Sequence, residues 1–393
     1  MGVKRPIFPE QPLFVSVRTA RRKVSGHVRD FWGRLSEDSQ IDDLWAQFAA
    51  DTRASYGFYG RDVDWAKINQ LPGWRKPLHI ANQFFWALML KLTPARRVMV
   101  LLALIMLVLS GIKFHFGENI NFSFNFEFAA AALLLLLLFL ELSDKVIMKR
   151  DLEIAREIQT WLVPAYPPEV TNADIAFATR PQNSVAGDYY DAFFPLNDGA
   201  RGGKLLVVIA DVAGKSVPAA LLMATFQASL RTIAGGGVTL HELVHRLNQY
   251  ASAHSLDGRR FTTAVVAEYE PATRRFTYVN AGHNHPVLRR ANGEMQRLDK
   301  GGLPLGILAE ATYEVASLEM HPGDLLVFYT DGVVEAFNES GEQFSEAQWA
   351  EVVQSLPALS AAESLRFLMQ RVDGFVGMTR QSDDITCLVF RVE

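Results

Sequence analysis

Five aspartates in the 393-residue chain stand where apolar runs begin or end. Asp188 follows Gly187 in SVAGDYYDAF (184–193), Asp211 closes LLVVIAD, Asp331 closes DLLVFYTD, and Asp383 and Asp384 open DDITCLVF. A carboxylate at the tip of a buried strand costs free energy unless something pairs with its charge. Any one of them would be satisfied as a cap or turn residue. Four separate segments with the same habit point instead to a shared cation. Carboxylate, carbonyl and water oxygens suit hard divalent ions such as Mg²⁺ and Mn²⁺.

Other chemistries fit the residues less well. The single cysteine, Cys387, excludes an internal disulfide framework and a cysteine-rich zinc site. Cys387 to Arg391 is too short for the C-x5-R loop of cysteine-dependent phosphatases, so Cys387 reads as a core thiol. Gly214 to Ser216 (GKS) looks like the end of a nucleotide-binding loop, but that motif requires glycine where the chain has Ile209. His283 and His285 form a His-x-His with no third nitrogen or sulfur ligand near them in sequence, which favours a structural turn. The net charge of -4, without long charged tails, gives no sign of nucleic-acid binding.

The elements that must position these aspartates follow Pro164. LLVVIADVAG (205–214), FTTAVVAEYE, RFTYVNAGH, DLLVFYTDG and DITCLVFRV are rich in β-branched and aromatic residues and read as buried strands. Before them, Ser143 to Leu162 has Ile147, Ile154, Ile158 and Trp161 near one helical face, with Ser143 and Asp144 as caps and Pro164 as the stop. Two uncharged runs precede that helix, Val98 to Ile112 and Phe128 to Leu140. Neither has a polar face, and the joint between them is rich in phenylalanine, as at a lipid headgroup belt. They read as a membrane hairpin although each is shorter than the roughly 20 residues of a comfortable span. Arg96 and Arg97 precede it, Lys145, Lys149 and Arg150 follow it, and the loop from Phe114 to Glu127 has no Lys or Arg. The positive-inside rule then puts both ends in the cytoplasm. The first residues lack a signal-peptide pattern. Further on, Val24 to Leu35 and Ile41 to Ala49 show amphipathic stripes, and the stretch from Pro77 reads as an interfacial helix leading to the membrane.

The segments AREIQTWLVP, PQNSVAGDYYDAF, ADVAGKSVPAALLMA, NAGHNHPVL, GLPLGI, GDLLVFYTDGVVEA and SDDITCLVF occur in that order. With them the chain from about Ala155 to Glu393 resembles the metal-dependent PPM/PP2C-type serine/threonine phosphatases, in the bacterial branch typified by SpoIIE and RsbU. The resemblance implies an α+β fold, an α-β-β-α sandwich of two antiparallel sheets flanked by helices, with two Mn²⁺ or Mg²⁺ ions at one end. Asp188 would lie in the metal shell, Asp211 would bridge the ions with the Val212 carbonyl as a further ligand, and Asp331, Asp383 and Asp384 would complete the set. Asp188 and Asp211 would be central to catalysis. Gly187 would let the backbone approach the site, and Tyr189 or Tyr190 would anchor the strand. Two such ions activate water for in-line attack on phosphorus.

Departures from the family pattern accompany the match. Ala213 stands where eukaryotic members have histidine, and Ser216 where this branch usually has glycine, so the acid for the leaving group is unassigned. The expected organisation is a cytoplasmic segment at 1–93, a transmembrane hairpin at 94–142, a linker helix at 143–163 and a phosphatase domain at 164–393. The expected protein is a two-pass enzyme of the bacterial cytoplasmic membrane, a homodimer. It would act on phosphoserine or phosphothreonine of a regulatory protein such as an anti-sigma factor antagonist. The alternative is a catalytically silent membrane scaffold that binds a signalling partner through the same fold.

Overall fold

The structure, a computed structural model, describes residues 72, 75–110, 114–116, 120–122, 126–195, 203–255 and 260–393. The amphipathic stripes between Val24 and Ala49 lie outside these residues. The chain divides into two units, 1–142 and 143–393.

In the first unit, α1 (Lys76–Lys91) and α2 (Pro94–Ser110) are followed by two short paired strands, β1 (Phe114–Phe116) and β2 (Ile120–Phe122), and by the start of α3 (Phe126–Leu162). The joint between the apolar runs is therefore a small antiparallel ladder, with His115 opposite Asn121. Val98, Val108, Leu135 and Phe139 are each more than 60% exposed, while Ala103 and Ala130 are buried. Long aliphatic side chains turned outward and alanines turned inward suit lipid contact better than an aqueous surface. Arg96 of α2 donates to Glu141 of α3 at 2.8 Å.

Helix α3 runs for 37 residues without a break, about 55 Å at 1.5 Å per residue. Ser143 and Asp144 thus lie mid-helix rather than at a cap, because the apolar run before them is already helical and its carbonyls take their N–H groups. Among the described residues, α3 and α4 (Ser216–Ala234) are long and apolar enough to cross a membrane. Helix α4 has another place. Its Ala219, Met223, Phe226, Leu230 and Ala234, spaced by three or four residues, are buried in the core of the second unit.

The second unit is a sandwich. One sheet has the order β10-β7-β6-β5-β4, with β11 also pairing β7, and the other β3-β13-β12-β8-β9. The strands of the first are β4 (Tyr189–Phe193), β5 (Leu205–Val212), β6 (Thr262–Glu270), β7 (Arg275–Ala281), β10 (Gly301–Gly302) and β11 (Ala316–Glu319). Those of the second are β3 (Ala173–Arg180), β8 (Val287–Arg289), β9 (Met295–Arg297), β12 (Leu325–Tyr329) and β13 (Ile385–Val392). Every pairing is antiparallel except the two-residue β10 on β7. In β5, Leu205, Val207 and Ile209 face the core between the sheets, while Leu206, Val208, Ala210 and Val212 face α4 and α5 (Leu240–Ala253). In β13, Leu388 and Phe390 face inward, while Ile385, Cys387 and Val389 meet α7 (Glu346–Gln354) and α8 (Ala361–Val376). Burial on both faces explains why these strands read as unbroken apolar runs.

Candidate metal centre

Strand register carries the aspartates to one end of the sandwich. In the first sheet Tyr189 pairs with Ala210, so the next step of the antiparallel ladder sets Asp188 beside Asp211. In the second sheet Tyr329 pairs with Cys387, so the end of β12 lies by the start of β13. Asp331, which opens the short helix α6 (Asp331–Val334), thereby approaches Asp383 and Asp384. A hydrogen bond joins the two sheets here, because the Thr330 hydroxyl donates to Asp188 at 2.8 Å.

Glycines permit the close approach. A Cβ on Gly332 would lie 1.9 Å from the carbonyl oxygen of Asp384, so no other residue fits. One on Gly187 would lie 3.2 Å from the Val212 carbonyl and 3.6 Å from the Asp211 carboxylate. Tyr189 is fully buried edge-on to Phe226, and Tyr190 stacks at a tilt on Phe177, so both tyrosines anchor β4, on opposite faces.

The carboxylates crowd one another. Burial, followed by the Asp211 charge, holds the Asp188 carboxyl well above its ordinary range. Asp211 is pushed up to about 7, first by burial and then by Asp331, Asp383 and Asp384. Asp331 rises to about 6 through burial, then Glu335 and Asp383. Burial also raises Asp384, against the backbone N–H groups of Gln182 and Gly187 that donate to its two oxygens at 2.6 and 2.7 Å. Lys215 brings a compensating charge, with its ammonium 2.8 Å from Asp383 and 3.0 Å from the Ser382 carbonyl.

The structure therefore gathers Asp188, Asp211, Asp331, Asp383 and Asp384 and sets the Val212 carbonyl beside Gly187. No group of three His, Cys, Asp or Glu among the described residues is already closed around a point that would hold an ion. The chemistry of the donor set still fits a hard divalent cation. It offers oxygen atoms alone, and several negative charges raise one another's proton affinity with little basic compensation.

Neighbouring residues of chemical type do other work. Asp191, three residues after Asp188, is fully buried on the opposite side of the strand's start. Arg231 of α4 forks onto its two oxygens at 2.9 and 3.0 Å, and the Tyr189 hydroxyl donates to it. Arg231 also lies over the Phe193 ring at 4.2 Å. The imidazole of His283 is buried, which lowers its pKa to about 3 and keeps it neutral. Its Nδ1 shares a 2.8 Å hydrogen bond with Thr263, whose hydroxyl lies 3.4 Å from the Asp211 carbonyl. His283 thus backs β5 behind the carboxylates. Cys387 is buried and its thiol is pushed up by burial.

Sequence reasoning missed the supporting partners Thr330, Gln182 and Lys215. Lys215 carried a usable signal, since a lysine four residues after a strand-end aspartate is placed to face the same charges.

Residues 201–393 match the family described as Stage II sporulation protein E (SpoIIE). The chain is 28% identical over 276 residues to Protein IcfG of Synechocystis sp., covering 63% of this chain and 42% of that protein. It is 29% identical over 195 residues to Phosphoserine phosphatase RsbU of Bacillus subtilis, covering 49% of this chain and 56% of RsbU. The chain thus spans about half the length of these curated relatives. Among solved structures, the SiaA-PP2C domain of Pseudomonas aeruginosa superposes with a TM-score of 0.55 at 20% identity, over 64% of this chain and 99% of that one.

Proposed function

Because residues 201–393 carry a SpoIIE-type PP2C phosphatase domain, we propose that the protein is a membrane-anchored, metal-dependent protein serine/threonine phosphatase of bacterial signalling. The observation that carries this reading is the delivery of five aspartates by four segments of two sheets to one end of the sandwich.

Asp188, Asp211, Asp331, Asp383 and Asp384, with the Val212 carbonyl, would hold two Mn²⁺ or Mg²⁺ ions. Bound there, such ions supply an acidified water and neutralise charge on phosphoryl oxygens. The chain's own groups prepare the site. Thr330 fixes one oxygen of Asp188, and Asp384 uses both its oxygens to hold the 182–187 loop against β13. Lys215 keeps a positive charge beside Asp383, where an incoming phosphate would need one. Helix α3, long and apolar enough to cross a membrane, supplies one span. We assign α2 the other, with the second unit in the cytoplasm and the chain paired as a homodimer. The relative named as a phosphoserine phosphatase supports a phosphoserine or phosphothreonine substrate on a regulatory protein, with an anti-sigma factor antagonist as the leading class.

The test is hydrolysis of phosphoserine peptides by the full chain in lipid nanodiscs, with and without Mn²⁺. Turnover should require the ion and fall at least about 100-fold in Asp331→Asn, the order of loss expected when a charge-stabilising group is removed. Ion-independent turnover, or near-normal turnover in the variant at saturating Mn²⁺, would overturn the metal assignment. No turnover under any condition would favour the silent scaffold.

A further inference from the structure

The carboxylate loop is held from behind by α3. The side-chain amide of Gln159 donates from Nε2 to the Ala186 carbonyl at 2.7 Å, and its Oε1 accepts the Ala186 N–H at 2.9 Å. One side chain thereby satisfies both polar groups of a single backbone residue, as a neighbouring strand would. Ala186 is buried and immediately precedes Gly187 and Asp188. The next N–H along, that of Gly187, donates to Asp384 at 2.7 Å. A path of hydrogen bonds through the Ala186–Gly187 peptide group therefore runs from α3 to Asp384, and Asp188 follows Gly187 in the chain.

The face that makes this grip is distinct. Leu152, Ala155, Gln159 and Leu162, spaced by three, four and three residues, are half-buried and form one stripe of the helix. Gln159 is the polar member of that stripe. Ile154, Ile158 and Trp161, on another side, are 46%, 50% and 76% exposed. A solvated glutamine would have lain among the exposed positions.

We infer that Gln159 is a positioning residue: its amide sets the 184–188 loop so that Asp188 and Asp384 are held where a divalent cation can be bound. An amide is the functional group that matches here, because Ala186 presents one donor and one acceptor. Glutamate could accept from the N–H but not donate to the carbonyl, and leucine could do neither. Groups that orient metal ligands without touching the ion typically govern affinity by about 10- to 100-fold.

The inference rests on the proposed metal site, and the experiment separates the two. Gln159→Leu and Gln159→Glu are prepared in the full chain in nanodiscs. Hydrogen exchange is followed at the Ala186 and Gly187 amides without metal, and Mn²⁺ binding is followed by calorimetry. In Gln159→Leu, exchange at both amides should quicken at least about tenfold, and the Mn²⁺ dissociation constant should rise about 10- to 100-fold. Gln159→Glu should fall between that variant and the parent. Turnover at saturating Mn²⁺ should recover, which a general loss of folding would not allow. Should Gln159→Leu fail to fold, Gln159→Glu decides by the same readouts. Unchanged exchange, or a lower melting temperature with a dissociation constant within twofold of the parent, would overturn the inference. If the parent itself binds no Mn²⁺, the metal reading fails and the exchange arm alone decides whether Gln159 sets the loop.

Discussion

Replacing Asp211 by asparagine should stabilise the metal-free protein at alkaline pH and leave it unchanged in acid. The Asp211 carboxyl rises from 3.8 to about 7 in the fold, with burial as the first cause and Asp331, Asp383 and Asp384 next. A rise of about three pH units, at about 1.36 kcal/mol each, sets an upper bound of roughly 4 kcal/mol on the cost of ionising it there. Partial solvent access reduces this, and about 1–2 kcal/mol is the expected gain from the neutral amide. For a domain of this size that corresponds to roughly 2–8 °C in melting temperature. The sign follows from proton counting. Between pH 4 and 7 the folded state binds more protons than the unfolded one, so metal-free wild type loses stability as pH rises through that window and levels off above it. Melting curves in EDTA at pH 5 and pH 8 measure the effect. The variant's advantage over wild type should be smaller at pH 5 than at pH 8 and vanish below about pH 4, and the variant should gain less than wild type from added Mn²⁺. No gain at pH 8, or an equal gain at both pH values, would refute the reasoning that charge crowding is stored at this end of the sandwich.

Two further outcomes follow from particular residues. Ser216 has φ +61° at the start of α4, a left-handed conformation that disfavours any residue with a Cβ. Ser216→Gly should therefore stabilise the domain by about 1 kcal/mol, or roughly 2–4 °C, whereas Ser216→Ala should not; a lower melting temperature for the glycine variant would refute the strain reading. For the membrane reading, Asn121→Cys should react with an impermeant thiol reagent on intact spheroplasts, and Ser340→Cys only after permeabilisation, with the buried Cys387 silent in both. Equal protection of the two would favour α2 and α3 as core helices.

What the sequence revealed and what it concealed differ by the cost of burial. The run LLVVIAD announced a strand because both faces of β5 are covered, but the same lack of alternation hid which residues face the other sheet and which face α4. Ser143 and Asp144 looked like caps, although a capping side chain acts only where the chain enters a helix from outside, and α3 is already helical from Phe126. Asp188 and Asp191 share a residue type and a neighbourhood. Their roles separate through position relative to β4: Asp188 precedes the strand at the end shared with Asp211, while Asp191 lies within it, on the face of Tyr189 that Arg231 covers.

The same reasoning explains why the gathered aspartates were legible and their supports were not. A carboxylate beside an apolar run is expensive to bury, so its placement demands a reason that can be sought from sequence alone. A threonine hydroxyl or a glutamine amide is cheap on a surface and equally cheap in a satisfied interior, so Thr330 and Gln159 carry no such mark. Charge and helical period do not set Gln159 apart within AREIQTWLVP, and its partner, the backbone of Ala186, lies 27 positions later. Only at that distance does its chemistry become specific, because an amide that answers both the N–H and the C=O of one residue cannot be exchanged for an isosteric acid without leaving one of them unpaired, or for a hydrocarbon without leaving both. This end of the sandwich is therefore built twice over, from charges that declare themselves and from neutral groups that acquire meaning through the contacts that set the charges in place.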